Sequence, residues 1–367
     1  MKPVLFVTGH APWYRVGAFA RLHEHEEIEV ALFGGRVKHG GSDAEGELPF
    51  PHRHVRPREL AQLAASRRYR AVVCPTGGRL APAATWAGTR RARVPLILWA
   101  SLWAHPRSAA HMLSYLPSRR LYRSADAVVT YGPHVSAYVR ARGADNVHVA
   151  PQSVDNAFWR GPGIAAPSER SWPAEARTKF LFVGRPAREK GLDVLVEAWH
   201  GSHLEPPGAA LILVGAGPGR SRIPAGGAGR QGHAGLVNLD PVAPRELRNI
   251  YAACDVLVLP SIATPTFREP WGLVVNEAMN RGLPVIASDA VGAAAGGLVR
   301  AGRNGLVVAA GDSAALAAAL TTLAADGPMR ARLGEAAAAD VLAFSHEAWA
   351  GGFSAALRTL GLSRGRW

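Results

Sequence analysis

Residues 251–288 read YAACDVLVLPSIATPTFREPWGLVVNEAMNRGLPVIAS, and this pattern indicates an α/β fold. It predicts the end of a helix, a buried strand at 256–259, a loop, a second helix and another buried strand at 285–287. Glu269 is then expected on the loop at the carboxyl end of the first strand, and Glu277 in the second turn of the helix. In open α/β sheets this edge is where ligands bind.

The start of that helix is suited to a phosphate. The amides around Gly272 and Leu273 are expected at its N-terminus, where backbone N–H groups attract anions. A phosphate flanked by two carboxylates suits a ligand that is part phosphate and part polyol, which is the chemistry of a nucleotide-sugar. The alternative is that Glu269 and Glu277 are two solvated acids on an exposed loop and helix face.

With its surroundings, this block resembles the donor site of the retaining glycosyltransferases of family 4. The resemblance rests on the strand with its Pro-Ser turn, on the Glu269 to Glu277 element, and on the GLPVIAS run at 282–288. It implies the GT-B fold, in which two doubly wound Rossmann-like domains face each other across a cleft. It also implies that the last helix crosses back to the first domain.

A second patch supports the resemblance. The run FLFVG at 180–184 predicts a buried strand that ends in glycine, and RPAREKGL follows at 185–192. This is similar to the family's Gly-Arg and Glu-Lys-Gly element, whose arginine and lysine bind the donor diphosphate. Arg185 would offer a planar fork to two phosphate oxygens, and Lys190 a movable point charge. Taken alone, either cation would be an ordinary surface residue of a strand-turn-helix corner.

The sequence favours a reaction without a metal ion. No Asp-x-Asp follows a strand, and no His/Cys cluster has metal-ligand spacing. A leaving diphosphate must be stabilised as its bond to the sugar breaks, and Arg185, Lys190 and the helix start near Gly272 are the candidates. No cofactor is expected; the co-substrate would be a UDP- or GDP-linked sugar.

The resemblance implies transfer of the sugar to an acceptor hydroxyl with retention at the anomeric carbon. Glu277 would hold the ribose hydroxyls, and Glu269 the sugar hydroxyls or the reacting face. A phosphate oxygen of the donor would take the acceptor's proton, so that no protein base is needed. The remaining donor contacts are expected at Gly184, Gly215, Asp240, Trp271, Gly272 and Leu273.

Two of these donor contacts lie on turns. Gly215 opens a GAGPG run at 215–219 that lacks both the G-x-G-x-x-G spacing of a dinucleotide site and an acidic partner about twenty residues on. The family has a similar turn near the donor. Asp240-Pro241 stands where the family usually has glycine near the base, so the identity of the base stays open.

The first half resembles the family less closely, as expected for the half that holds the variable acceptor. After the first strand, residues 9–17 read GHAPWYRVG, and Gly17 is the best match to the family's glycine loop. Trp13, Tyr14 and Arg15 would face the acceptor. The alternative is that these side chains serve packing.

The family often carries a histidine near the reacting carbon. His105, just past the strand-like run 94–99, is the candidate, and the alternative is a surface histidine beside a proline. His10 and His134 are rivals because each follows a strand or begins a helix near the same sheet edge. Ser101 could also bind polar groups there.

The 367 residues exceed a comfortable single core, so two domains are predicted. The first is an acceptor-binding domain at 1–160, completed by a C-terminal helix at 345–367. A linker rich in Gly and Pro follows at 161–177, and a donor-binding domain occupies 178–344. Predicted strands are 4–7, 28–33, 71–74, 94–99, 127–130, 147–150, 180–183, 210–214, 256–259, 285–287 and 306–308.

The net charge of +14 comes mostly from arginine spread along the chain, as in proteins from GC-rich bacterial genomes. Such a surface attracts an anionic membrane leaflet. Nucleic acid is not expected, because no aromatic-basic binding motif is present. No apolar run approaches the roughly 20 residues of a membrane span, the N-terminus reads as a strand, and Cys74 and Cys254 read as buried thiols. The expected location is the cytoplasm, with peripheral contact at the inner membrane face.

Two other functions stay open at this point. One is another GT-B activity on a nucleotide-sugar, such as that of an epimerase or a phosphorylase. The other is a non-catalytic nucleotide-sugar-binding protein that has kept the fold. The donor sugar, the acceptor and the oligomeric state stay open as well.

Overall fold

The computed structural model describes residues 1–34, 48–78, 80–162, 172–216 and 235–365. The chain divides into two compact units. Unit 1 comprises Met1–Asp155 and Phe344–Trp367, and unit 2 comprises Asn156–Ala343.

Unit 1 is a seven-stranded parallel sheet in the order β3-β2-β1-β4-β5-β6-β7. Its strands are β1 (Val4–Thr8), β2 (Ile28–Leu32), β3 (His52–His54), β4 (Ala71–Pro75), β5 (Leu96–Ala100), β6 (Ala127–Thr130) and β7 (Val147–Val149). Its helices before the unit boundary are α1 (Trp13–Glu26), α2 (Leu60–Ala64), α3 (Ala81–Ala92), α4 (Ala109–Ser124) and α5 (Pro133–Arg140).

Unit 2 is a six-stranded parallel sheet in the order β10-β9-β8-β11-β12-β13. Its strands are β8 (Thr178–Val183), β9 (Ala209–Val214), β10 (Leu236–Leu239), β11 (Val256–Leu259), β12 (Val285–Ser288) and β13 (Gly305–Val308). Its helices are α6 (Asn156–Arg160), α7 (Leu192–Ser202), α8 (Pro244–Ala252), α9 (Val274–Asn280), α10 (Gly292–Ala295), α11 (Ser313–Ala325) and α12 (Gly327–Asp340). The last helix, α13 (His346–Thr359), belongs to unit 1.

The central strands are almost continuously apolar because helices cover both faces of a parallel sheet. Successive side chains of a strand point to opposite faces. In β1, Phe6 therefore packs in one core with Phe19 of α1. Its neighbours Leu5 and Val7 pack in the second core of the unit.

Helix α13 packs against the same face of the unit 1 sheet as α1. The rings of Trp349 and Phe353 lie 4.6 Å apart, and Phe353 is 5.3 Å from Phe6. A Cβ atom on Gly352 would lie 2.3 Å from the Val149 carbonyl oxygen, so only glycine lets the helix approach β7 this closely. The predicted return of the last helix to the first domain is confirmed.

Unit 2 begins before the predicted linker because α6 packs on α9. Arg160 Nε donates to Asn280 Oδ1 at 3.0 Å, and Asn280 Nδ2 donates to Asn156 Oδ1 at 2.8 Å. Arg281 Nη1 donates to the carbonyl oxygen of Gly161 at 2.7 Å. The predicted linker residues 163–171 lie outside the described residues.

The structure contains every predicted strand, with ends shifted by a residue or two in several of them. Two edge strands, β3 and β10, were not predicted. Strand β3 reads HRH and carries no apolar alternation, and β10 reads LVNL, a short apolar run that an asparagine interrupts. Cys74 and Cys254 are buried and unpaired, as predicted.

Candidate functional site

The site in unit 2 begins where the order of the strands reverses. The chain runs from β8 outward through β9 and β10, and then returns to the other side of β8 with β11. In sheets of this kind the crevice outside the carboxyl ends of the two strands at the reversal is the ligand site. Gly184 follows β8 at this edge, and Ser261 follows β11.

A buried ion pair joins the segments that follow these two strands. Lys190, at the end of the 3₁₀ turn Arg188–Lys190, donates from Nζ to Glu269 Oε2 at 2.5 Å. Their side chains are 16% and 9% exposed. Ser261 Oγ donates to the same carboxylate oxygen at 3.3 Å. The lysine and glutamate elements predicted from distant parts of the sequence therefore meet in one place.

The lysine segment is fixed by a glycine. Gly191 has a φ of +67°, a left-handed conformation that glycine adopts readily. A Cβ atom there would lie 2.0 Å from the Pro260 carbonyl oxygen, at the end of β11. The backbone N–H of Ile262 also donates to the Glu189 carbonyl at 2.9 Å. Backbone contacts thus hold the two segments against each other.

The glutamate loop is fixed on its other side by α10. Glu269 forms a parallel bridge with Val291, and its carbonyl accepts from the N–H of Gly292 at 3.1 Å. A Cβ atom on Gly292 would lie 2.0 Å from the Pro270 carbonyl oxygen, so this approach also requires glycine. The position of the Glu269 carboxylate is thus set by backbone structure on both sides.

Glu277 lies in α9 and is 8% exposed. Tyr251, in α8, donates from its hydroxyl to Glu277 Oε2 at 2.9 Å. Burial raises the pKa of the Glu277 carboxyl to about 7, and the Tyr251 hydroxyl acts in the opposite direction. Because both Glu269 and Glu277 are buried, the alternative of two solvated acids is wrong.

Arg185 does not join the buried pair. Its side chain is 67% exposed, and Nη2 lies 3.6 Å from Glu189 Oε1. It follows Gly184, whose N–H donates to the Val214 carbonyl at 3.0 Å. The structure therefore places Arg185 at the same sheet edge as Lys190, with its guanidinium in solvent.

The other predicted donor residues surround this edge unevenly. Gly215 directly follows β9 and has a φ of +76°. A Cβ atom there would lie 3.2 Å from the Gly184 carbonyl oxygen. Asp240 follows β10 and is exposed. Residues 217–219 of the glycine-rich turn lie outside the described part of the chain.

Trp271, Gly272 and Leu273 connect Glu269 to α9. The indole of Trp271 is 2% exposed, and its Nε1 donates to Asn276 Oδ1 at 2.8 Å. Gly272 has a φ of +94°, and Leu273 caps the helix. The Trp271 side chain therefore packs inside and supports the loop.

In unit 1 the structure turns Arg15 inward. Its side chain is buried, Nη2 donates to Gln152 Oε1 at 2.5 Å, and the guanidinium carbon lies 5.3 Å from the Trp99 ring centre. The prediction of an acceptor-facing Arg15 is wrong, because α1 begins at Trp13 and the Arg15 side chain is buried. This start places Arg15 on the helix face that packs against the sheet.

Gly17 also serves packing. A Cβ atom there would lie 2.5 Å from the imidazole of His346, at the start of α13. Trp13 and Tyr14 are partly buried in the first turn of α1, with ring centres 6.1 Å apart. His10 is partly buried on the loop after β1, where its carbonyl accepts from Thr8 Oγ1 at 3.3 Å.

His105 is held by its own unit. Nε2 lies 2.8 Å from the His111 carbonyl oxygen and Nδ1 lies 3.3 Å from the Tyr138 hydroxyl, so one nitrogen donates and the other accepts. The ring also packs edge-on against Tyr115 at 5.2 Å. Both ring nitrogens are therefore used within unit 1. The rival His134 packs edge-on against Trp103 at 5.0 Å.

Several residues that build the site were not predicted as site residues. Tyr251 and Ser261 bind the two carboxylates, and Gly191 and Gly292 allow the loops to approach. Gly191 directly follows Lys190 in the sequence, so its position could have signalled a constrained turn. Tyr251 lies in a different helix from Glu277 and gave no such signal.

The described residues contain no group of three or more His, Cys, Asp or Glu side chains arranged to hold a metal ion. Among the described helices, none combines the length and the apolar character that crossing a membrane requires.

Solved structures of other proteins share this fold. HepE from Anabaena, solved in complex with UDP and glucose, matches with a TM-score of 0.70 at 18% identity, over 98% of this chain and 100% of that one. An α,α-trehalose 6-phosphate synthase from Burkholderia multivorans matches with a TM-score of 0.71 at 14% identity, over 98% and 99%. At these identities the matches show the fold alone. It is the predicted GT-B fold with two parallel-sheet α/β domains.

Proteins similar in sequence match over part of the chain. Residues 177–326 match the family of glycosyl transferases group 1. A D-inositol 3-phosphate glycosyltransferase from Nocardia farcinica is 31% identical over 285 residues, which are 71% of this chain and 60% of the relative. One from Corynebacterium glutamicum is 36% identical over 219 residues, 56% of this chain and 50% of the relative. Residues 177–326 therefore match a group 1 glycosyltransferase domain, in line with the predicted resemblance, and the chain spans 60% and 50% of the length of these two relatives.

Proposed function

We propose that the protein transfers a sugar from a nucleoside diphosphate to an acceptor hydroxyl, with retention at the anomeric carbon and without a metal ion. The observation that carries this proposal is the buried Lys190–Glu269 pair at the strand reversal of a group 1 domain. A cation at this edge suits a diphosphate, and a carboxylate in contact with it suits sugar hydroxyls. UDP-sugars are the first donors to consider, because HepE was solved in complex with UDP-glucose.

The two cations have different roles in this proposal. Lys190 is held in place by Glu269, so its charge is oriented before the donor binds. Arg185 is exposed and can close on the diphosphate from solvent with its planar fork. Both would stabilise the negative charge that develops on the diphosphate as the bond to the sugar breaks.

The acceptor oxygen would attack the anomeric carbon from the side on which the diphosphate leaves. The bond between that carbon and the phosphate oxygen breaks, and a phosphate oxygen takes the acceptor's proton. Glu269 would bind sugar hydroxyls, and the bonds from Lys190 and Ser261 orient its carboxylate. Glu277, braced by Tyr251, would bind the ribose hydroxyls.

The acceptor is proposed to be a hydroxyl group of a small polyol, glycoside or lipid-linked sugar. D-Inositol 3-phosphate is the first acceptor to test, because the relatives from Nocardia and Corynebacterium are named for it. We propose that the protein acts in the cytoplasm, contacts the inner face of the membrane and binds no nucleic acid.

Donor binding is tested first by thermal unfolding of the purified protein with UDP- and GDP-sugars. A ligand that binds only the folded state stabilises it by about 2.7 kcal/mol at a hundred times its Kd. The stabilising sugar is then incubated with acceptors in the presence of EDTA, and the product is examined by mass spectrometry and NMR. Transfer with the donor's anomeric configuration is expected.

Three results would contradict the proposal. Isomerisation of the donor would indicate an epimerase, and cleavage that depends on inorganic phosphate would indicate a phosphorylase. Donor binding without any turnover, including hydrolysis, would indicate a binding protein. If turnover is lost in EDTA and Mg²⁺ restores it, only the proposed metal independence is contradicted.

A further inference from the structure

Helix α4 presents an apolar patch to solvent. Met112, Leu113 and Leu116 are 65%, 82% and 70% exposed. Met112 and Leu116 lie one helical turn apart on the same face, with Leu113 beside them. Among the described residues, no other helix exposes three large apolar side chains in this way. Single exposed apolar residues are common on proteins, whereas a cluster indicates contact with a partner.

The same face of α4 continues as a basic surface. Arg119, Arg120 and Arg123 are exposed in its last turns, and α4 contains no acidic residue. A cavity of about 340 Å³ opens between these arginines and α3. The apolar patch and the residues that line this cavity are together called the α4 surface. The lining residues are Arg90, Leu116, Arg119, Arg120, Arg123 and Ser124.

The helix is anchored from beneath, so its outer face is presented in a fixed orientation. Trp86 Nε1, on α3, donates to Ser124 Oγ at 2.8 Å, and Arg120 lies over the Trp86 ring at 5.7 Å. At the other end, Ser108 Oγ accepts from the N–H of His111 at 3.4 Å, and the His111 carbonyl lies 2.8 Å from His105 Nε2. The position of His105 thereby gains an explanation, because it fixes the start of α4.

We propose that the α4 surface binds the surface of an anionic phospholipid bilayer. Apolar side chains next to arginines are the composition of helices that lie in the membrane interface. Met112, Leu113 and Leu116 would enter the boundary between headgroups and acyl chains, and the arginines would bind lipid phosphates. The net charge of +14 adds long-range attraction to an anionic leaflet.

A bilayer fits this surface better than a second copy of the chain. Three apolar side chains expose far less area than the roughly 800 Å² per partner that a stable interface buries. Two copies would also bring the arginines of both helices together, and like charges repel. The proposal concerns unit 1 and is independent of the donor chemistry of unit 2.

The test is flotation of the full-length protein with vesicles of phosphatidylcholine alone or of an equimolar mixture with phosphatidylglycerol. We expect binding to the mixed vesicles only, weakened by salt. The variant Arg119→Ser/Arg123→Ser should bind more than about tenfold more weakly, because two basic side chains at an anionic surface are lost. Arg120 stays in place because it packs on Trp86. The control Arg58→Ser/Arg358→Ser removes the same charge from exposed positions outside α4 and should bind almost as the wild type does.

Insertion is tested with a fluorescent label. Cys74 and Cys254 are buried, so a polarity-sensitive dye on Leu113→Cys reports that site selectively. Its emission should shift to shorter wavelength with the mixed vesicles. The control Leu342→Cys, at a residue of unit 2 that is 51% exposed, should not shift.

The variant Met112→Ser/Leu113→Ser/Leu116→Ser should lose flotation while its thermal unfolding stays that of the wild type. Equal binding to both vesicle types would overturn the proposal. It would also be overturned if the control Arg58→Ser/Arg358→Ser weakened flotation as strongly as Arg119→Ser/Arg123→Ser does. The wild type could instead form a dimer in solution and not bind vesicles. If the triple serine variant abolished that dimer, the α4 surface would be a contact between two copies of the chain. Binding of inorganic phosphate without vesicle binding would assign the arginines to a soluble anion and overturn it as well.

Discussion

The two units place similar loops at the same kind of sheet edge and use them differently. In unit 2 the strand order reverses between β8 and β11, and there a lysine and a glutamate form a buried pair. In unit 1 it reverses between β1 and β4, and the charged residue after β1 is Arg15. Arg15 bonds to Gln152 and packs against aromatic rings of the core.

The difference shows that the strand order determines where the ligand edge of a sheet lies. The local backbone conformation determines whether a charged side chain points toward that edge. In unit 2, Gly191 and Gly292 let the backbones touch, and this contact fixes Lys190 and Glu269 beside each other. In unit 1, α1 starts directly after Pro12, and the helical turn carries Arg15 into the core. One edge is thus built for charge, and the other, at Arg15, for packing.

The largest expected effect is that of Lys190→Ala on catalysis. Removing one preorganised electrostatic group from a transition state lowers turnover by about 10²–10³-fold. The change also leaves the buried Glu269 carboxylate without its cation, which costs about 3–5 kcal/mol of the free energy of unfolding. Steady-state rates and urea unfolding measure the two effects separately.

A double variant distinguishes catalysis from stability at this pair. Lys190→Met/Glu269→Gln removes both buried charges and should recover most of the lost stability without recovering turnover. Lys179→Ala, a lysine of the same unit that donates to the Ala176 carbonyl at 2.7 Å, is the matched control and should keep its activity. Unchanged turnover in Lys190→Ala would contradict the role of the Lys190–Glu269 pair in sugar transfer.

The next effect concerns the backbone contact that holds the pair together. Gly191→Ala would place a Cβ atom 2.0 Å from the Pro260 carbonyl oxygen, in addition to the strain of a φ of +67°. We expect a loss of about 3 kcal/mol in the free energy of unfolding, together with reduced turnover. The control is Gly311→Ala, which has a φ of +85° but no atom within 4 Å of the new Cβ. It should cost only about 1 kcal/mol, and an equal loss in both variants would mean that the contact with Pro260 does not matter.

Glu277 gives a pH-dependent effect. Its pKa in the folded protein is about 7, above the ordinary value of 4.5, so the folded state holds the proton more tightly than the unfolded state. The resulting stability is fully present below about pH 4.5 and is lost as the pH rises to about 7. Glu277→Gln keeps a group that accepts from Tyr251 but does not ionise. Above about pH 7, Glu277→Gln should be more stable than the wild type, by at most about 3 kcal/mol. Below about pH 4.5, this gain in stability should be absent.

Thermal unfolding at pH values on both sides of the window measures this effect. If Glu277 holds the ribose, the stabilisation by a nucleotide-sugar should fall in the variant at every pH. A variant whose stability relative to the wild type does not change with pH would show that Glu277 titrates normally.

The sequence predicted the second half of the molecule well because its signals are local. The apolar runs before Gly184 and Ser261 identify β8 and β11, and the residues that follow them must lie at one edge of a parallel sheet. The meeting of Lys190 with Glu269 follows from that placement. The bond from Tyr251 to Glu277 does not, because it depends on how α8 and α9 pack.

The first half was harder to predict for a physical reason. The resemblance predicts a glycine loop over residues 9–17 and places Arg15 and Gly17 at the acceptor. The chain enters α1 at Trp13 instead, and in a helix each side chain's direction follows from where the helix starts. Arg15 and Gly17 therefore pack against the core and His346. The role of His105 depends on Tyr138 and His111, which tie it to α5 and α4.

The smallest expected effect tests Arg15 as a packing residue. Arg15→Met keeps an unbranched side chain beside Trp99 and Trp349 but removes the guanidinium over their rings and its bond to Gln152, so the free energy of unfolding should fall by about 1–2 kcal/mol. Adding Gln152→Leu should restore part of it, since both polar partners are then gone. Stabilisation by the donor should equal that of the wild type in both variants, in contrast to Lys190→Ala. If donor stabilisation or the KM for the acceptor changed by more than about tenfold, which is about 1.4 kcal/mol, Arg15 would belong to a ligand site and the two edges would be alike after all.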